Sequence, residues 1–257
     1  MNIDLISMQG VSCCLAFFFA GIIDSITGGG GLITIPIMLA TGIPVHYITG
    51  TNQCSAWLGT GVAAYKYVRS GNIHLKSALF TLPFAIIGSY VGARLNLMVP
   101  DYYLKIFMLV TVPIIAVFVF ANKKLGEDEH VEEKSTLAIA VWSAMIGIVL
   151  GGYQGFYGPG AGMFFMLAYA ALLKLKLVKA TGNTRFVIAI ASVTSVFTYA
   201  ASGAVILNLA IAATVFNIAG SYLGAAMAIK SGARIIRPIM FCVIVLLIVK
   251  LITDIAT

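Results

Sequence analysis

Two glycine clusters, each set inside an apolar stretch and about 130 positions apart, constrain this chain more than any other feature: Gly28-Gly29-Gly30-Gly31 and Gly158-Pro159-Gly160-Ala161-Gly162. Further correspondences fall at a fixed offset of 132, among them Gly50 with Gly182, Tyr67 with Tyr199, Ser70-Gly71 with Ser202-Gly203, and Gly88-Ser89-Tyr90 with Gly220-Ser221-Tyr222. Self-similarity of this kind marks two copies of one structural unit. When apolar helices are interrupted by glycine at matching places in both copies, the interruptions are expected to meet at a binding site, as in duplicated membrane carriers.

The setting for these breaks is a bilayer. The chain is 60% hydrophobic and only 10% charged, with a mean hydropathy of +1.01, too little polar surface for a soluble globule of 257 residues. Apolar runs of about 20 to 25 residues match the length an α-helix needs to cross a hydrocarbon core of roughly 30 Å. The alternating strands of a barrel are absent from the pattern. The expected fold is therefore all-α and polytopic, with about eight transmembrane helices and two short half-helices arranged as two inverted repeats. Long helices are predicted near 5–26, 46–68, 72–96, 100–121, 135–157, 177–201, 205–229 and 233–255, with short pieces at 32–42 and 163–174. Residues 1–121 form the first membrane repeat, 122–134 a charged linker and 135–257 the second repeat. The first apolar segment lacks early Lys or Arg and a small-residue cleavage site, so it reads as a retained helix.

Charge placement predicts the relation between the repeats. The connection around 66–76 carries Lys66, Arg69 and Lys76, whereas its equivalent around 198–208 carries no charge. Conversely, 42–46 lacks Lys and Arg, while its counterpart holds Lys174, Lys176 and Lys179; the 94–101 turn has one arginine against Lys230, Arg234 and Arg237. Under the positive-inside rule, equivalent loops lie on opposite sides of the membrane, so the repeats are inverted. The linker, 66–76, 174–179 and 230–237 are then cytoplasmic and both termini periplasmic. The net charge of +7 follows from this orientation and needs no nucleic-acid partner.

The candidate site residues follow from the breaks. Gly28, Gly29, Gly30 and Gly31, with Gly158, Gly160 and Gly162, permit backbone to unwind at membrane depth and to approach a ligand closely. A helix restarting after such a break offers N–H groups and the positive end of its dipole, which is an anion site. A second pair of motifs, Gly50-Thr51-Asn52-Gln53 and Gly182-Asn183-Thr184-Arg185, adds Thr51, Asn52, Asn183 and Thr184 as hydrogen-bonding groups that either contact substrate or cap helices. Arg185 lies within an apolar helix, where a guanidinium either serves function or snorkels to the surface. Asp24, whose counterpart is Gln154, is a candidate coupling group, a partner for Arg185, or a staple for loosened backbone.

Catalytic and cofactor chemistry find no foothold. There is no P-loop, GxSxG or HExxH pattern, and His46, His74 and His130 fall at helix ends or in the linker. Cys13, Cys14, Cys54 and Cys242 lie in apolar segments without metal spacing, so neither metal nor cofactor is expected. An intramembrane enzyme and a passive anion channel remain the competing readings to a carrier.

The run Gly21-Ile22-Ile23-Asp24-Ser25-Ile26-Thr27-Gly28-Gly29-Gly30-Gly31-Leu32 with Pro36, then Gly50-Thr51-Asn52, Gly155-Phe156-Tyr157-Gly158-Pro159-Gly160-Ala161-Gly162 and Lys179-Ala180-Thr181 resembles the sulfite exporter TauE/SafE family, most closely its YfcA-like subgroup. The resemblance covers essentially the whole chain. It implies a multi-pass carrier of the bacterial cell inner membrane that moves a small anion, a sulfur oxyanion or an organosulfonate such as sulfite. The implied partners are that substrate and the lipid bilayer, with a second copy of the chain an open option. Some relatives that handle sulfur compounds depend on cysteine, and Cys54 is the residue to which such a role would fall.

Overall fold

The computed structural model describes residues 8–100, 102–104, 135–236, 238, 239 and 242. Eight helices of nine residues or more stand among them: α1 (Met8–Thr27), α2 (Gly31–Leu39), α3 (Val45–Arg69), α4 (Leu75–Met98), α5 (Thr136–Phe156), α6 (Ala161–Leu172), α7 (Leu177–Ala201) and α8 (Leu207–Ser231). Among the described residues there is no strand. Each of these helices lies within a few residues of an expected one, while the linker 122–134 and most of the spans 100–121 and 233–255 fall outside the described residues.

Five of the helices, α1, α4, α5, α7 and α8, are long and apolar enough to cross a membrane. The polar and apolar residues are distributed accordingly. Leu137, Phe197 and Ile211 are exposed on the outside, whereas Thr51, Gln53, Asn183 and Thr184 are buried within. Lipid offers no hydrogen bonds, so polar side chains are satisfied only inside the bundle. The helix α3 carries several of them, Thr49, Thr51, Asn52, Gln53, Ser55 and Thr60, and buries all six.

Close packing at glycine fixes how the helices run. In α8, Gly220 lies against the Phe18 carbonyl and Gly224 against the Ile22 carbonyl, so α1 and α8 are parallel. The equivalent Gly88 and Gly92 of α4 lie against Ile148 and Gly152 of α5, also in parallel. Small residues let these backbones approach where a side chain would hold them apart. Between α3 and α7 the sense is opposite: Gly50 packs beside Tyr199, Trp57 bonds to Ala189, and Gly182 packs beside Tyr67. The equivalent helices α3 and α7 therefore run antiparallel, and among the described helices α1 of the first half packs against α8 of the second, and α4 of the first against α5 of the second.

These directions sort the loops. Lys76 Nζ donates to Thr136 Oγ1 at 2.8 Å, the His74 amide donates to Asn183 Oδ1 at 2.7 Å, and Gly232 packs beside Val178. One end of the bundle thus gathers Lys66, Arg69, Lys76, Lys174, Lys176, Lys179, Lys230 and Arg234. At the opposite end, His46 meets Asn96 at 3.3 Å and Asn96 Nδ2 donates to the Phe156 carbonyl at 2.7 Å, with Arg94 as its described basic residue.

Candidate functional site

Both helix breaks are made by glycine in the left-handed region. Gly28 has φ +87° and Gly158, 130 positions on, has φ +89°. A residue with a Cβ is strained there. After each break the chain starts a short helix, α2 or α6, directed away from the centre. The two restarts meet: Gly28 abuts Gly162, and Gly31 abuts Pro159, with no space for a side chain between Gly28 and Gly162.

A cavity of about 50 Å³ lies where they meet, lined by Gly28, Gly30, Gly31, Gly158, Ala161 and Gly162 from the breaks, Asn52, Gln53, Trp57 and Thr60 from α3, and Arg185 and Ser192 from α7. Asp24, Thr34, Gln154 and Asn217 complete its polar wall. A cavity needs roughly 10–15 Å³ of such volume to hold a water, so this one holds on the order of three to five, enough for a small oxyanion.

Arg185 dominates the electrostatics. It is 1% exposed, which excludes snorkelling, and its Nη1 donates to Asp24 Oδ2 at 2.5 Å. The other carboxylate oxygen, Oδ1, accepts the Gly30 amide at 3.2 Å, so Asp24 both neutralises the arginine and holds the backbone of the break. Asp24 is the one carboxylate among the described residues. Arg185 Nε and Nη2 are buried and have no hydrogen-bond partner, and Nη2 lies beside Gly162. These two nitrogens share one edge of the guanidinium. Their parallel N–H groups match two oxygens of a single oxyanion.

The opposite half of the cavity repeats this arrangement without charge. Gln53 stands 132 positions before Arg185, and Gln154 stands 130 positions after Asp24. Gln53 Nε2 donates to the Gln154 carbonyl at 2.6 Å, and Gln154 Nε2 donates to Gln53 Oε1 at 3.0 Å and Ser192 Oγ at 2.9 Å. Ser89 Oγ donates to Gln154 Oε1 at 3.0 Å. Each pair joins the break of one repeat to the long central helix of the other.

Of the residues expected at the site, Gly28, Gly30, Gly31, Asn52, Gly158, Gly162, Arg185 and Asp24 line the cavity. Gly29 and Gly160 belong to the same turns but stand outside the lining. Thr51, Asn183 and Thr184 do other work. Thr51 Oγ1 accepts the Ile206 amide at 2.9 Å and Asn183 accepts that of His74, each meeting the chain just before a helix of the other repeat. The Thr184 hydroxyl donates to the Ala180 carbonyl at 2.8 Å within its own helix. Sequence reasoning missed Thr34, Gln53, Trp57, Thr60, Gln154, Ser192 and Asn217 as polar lining residues. Gln53 was within reach, since it is the repeat equivalent of Arg185. Cys54 carries a free thiol and lies outside the lining, and no group of metal-ligating side chains occurs among the described residues.

Comparison with known proteins places the chain among membrane transporters. A family model described as sulfite exporter TauE/SafE matches residues 13–251. The chain is similar to a probable membrane transporter protein, ORF9, of Sinorhizobium sp, at 33% identity over 93% of this chain and 91% of the relative. It is also similar to a probable membrane transporter protein of Haemophilus influenzae, at 29% identity over 99% and 97%, and to the probable membrane transporter protein YfcA of Escherichia coli strain K12, at 30% over 91% and 86%. No solved structure matches.

Proposed function

The chain belongs to the sulfite exporter TauE/SafE family of membrane transporters, and we propose that it is a secondary carrier of one small oxyanion, a sulfur oxyanion or organosulfonate, held at the Nε–Nη2 edge of Arg185. The observation that carries this reading is the pair of buried, unpartnered nitrogens Nε and Nη2 in a cavity of oxyanion size. A buried donor without a partner costs free energy that a bound acceptor recovers. Asp24 holds the guanidinium by Nη1 and so sets the free edge toward the glycine turns, where the starts of α2 and α6 add the positive ends of two helix dipoles. Because Asp24 balances the arginine, the empty site is neutral and the loaded one carries the charge of the anion. That moderates binding, as a carrier that must release its cargo requires.

The antiparallel relation of α3 and α7 supports inverted repeats and alternating access around the cavity. The lysine-rich end is the cytoplasmic one under the positive-inside rule, which puts the start of α1 on the periplasmic side of the bacterial inner membrane. Flux of a labelled anion into vesicles, with thermal stabilisation of purified protein by sulfite, thiosulfate, sulfoacetate, sulfate and simple carboxylates, tests the reading. Saturable flux of the unmodified anion, lost in Arg185→Gln, is the expected result. Chemical turnover of the anion would indicate an enzyme, and flux linear in concentration a channel.

A further inference from the structure

We infer that Gln53 and Gln154 form an uncharged gate at one end of the cavity, equivalent to the Asp24–Arg185 pair at the other, and that the carrier works by parting one pair while the other stays closed. The inference rests on the carrier reading above. Its geometric basis is the position of the two pairs relative to Trp57. Trp57 Nε1 donates to the Ala189 carbonyl at 2.9 Å, and Ala189 is the residue 132 positions on. A residue that contacts its own equivalent lies on the pseudo-twofold axis. From that axis, Gln53 is one turn toward the start of α3 and Arg185 one turn toward the start of α7. Since α3 and α7 are antiparallel, the amide pair faces the end containing Asn96 and the ion pair faces the lysine-rich end.

The two pairs are the same link in two chemistries. Both tie a helix break to the central helix of the opposite repeat, so relative movement of the repeats must break them. Gln154 is satisfied on all sides by Gln53, Ser89 and Ser192, whereas Arg185 retains an open edge. An anion entering past the amide pair meets no charge until it reaches that edge. Once there, it shares the guanidinium with Asp24 and weakens the contact that keeps the second gate shut. The order of events follows: the amide gate parts for entry, and occupancy of Arg185 loosens the ion-pair gate.

The test uses a reporter thiol, Ala56→Cys, at a cavity-lining position in a chain whose four native cysteines are replaced by serine, in membrane vesicles of both orientations. A membrane-impermeant thiol reagent is applied from one side at a time. Gln53→Ala is expected to speed labelling at least tenfold from one side, and the double variant Asp24→Ala/Arg185→Ala, which leaves no side chain to bridge the break and the central helix, at least tenfold from the other. If Gln53→Ala fails to reach the membrane, Gln53→Asn keeps the amide but is one methylene short of Gln154. Unchanged rates, or acceleration from the same side in both variants, overturn the inference. Saturable anion counterflow in the same vesicles is measured independently: its absence refutes the carrier reading, while opposite-sided labelling without it would still establish two gates.

Discussion

Trp57 and Ala189 hold equivalent places in the two halves of the chain and bond to each other, indole N–H to carbonyl, at 2.9 Å. Around this point the contacts exchange in pairs. Tyr67 donates to the Ser25 carbonyl at 3.0 Å and Tyr199 to that of Gly155 at 3.0 Å. Gly50 is pressed against the Ala204 carbonyl and Gly182 against that of Asn72. Reciprocity of this kind is what a twofold relation produces. Trp57→Phe keeps most of the packing but removes one bond, and is expected to lower stability by about 1 kcal/mol in thermal unfolding.

Removing either partner of the ion pair tests its role in folding. Arg185→Gln leaves the Asp24 carboxylate largely enclosed without its counter-charge, and should cost about 3 kcal/mol. The double variant Asp24→Asn/Arg185→Gln replaces the pair with two carboxamides, as the other half of the cavity already has, and should recover most of that loss. Neither variant should be stabilised by the anion that stabilises the wild type.

The left-handed glycines Gly28 and Gly158 should respond unequally to the same change. At Gly28 a Cβ would enter the backbone of Gly162 and Met163, which cannot yield. At Gly158 it would first meet Gln53 Nε2 at 3.0 Å, the far end of a flexible side chain. Both substitutions to alanine carry the backbone strain of about 1–2 kcal/mol. Gly28→Ala should therefore destabilise well beyond Gly158→Ala, as measured by denaturation of the detergent-purified protein.

The polar residues beside the cavity should separate from those within it. Thr51→Ala and Asn183→Ala each remove an acceptor for an amide just before a helix of the other repeat, and should cost about 0.5–2 kcal/mol. Anion affinity, read from the concentration dependence of the thermal shift, should stay within about twofold of wild type. Asn52→Ala should instead weaken it, since Asn52 lines the cavity and accepts the Thr34 hydroxyl at 2.5 Å.

Periodicity, glycine placement and loop charge determined a great deal by themselves. They foretold the eight described helices to within a few residues, the two breaks, the short restarts and the opposed sense of the equivalent helices, because hydrophobic length and backbone freedom are local properties written directly in residue type. Arg185 and Asp24 were conspicuous for the same reason, since charge in an apolar run is costly wherever it lies. What only the tertiary structure decided was the pairing. Thr51 sits one position before the cavity-lining Asn52, and Asn183 two positions before the cavity-lining Arg185, yet each position along a helix turns a side chain by about 100°, and that rotation sends them to the ends of other helices. The meeting of Asp24 with Arg185, and of Gln53 with Gln154, joins residues more than a hundred positions apart. Those contacts exist because the repeats interlock, and no local pattern records which face of one repeat is buried against the other.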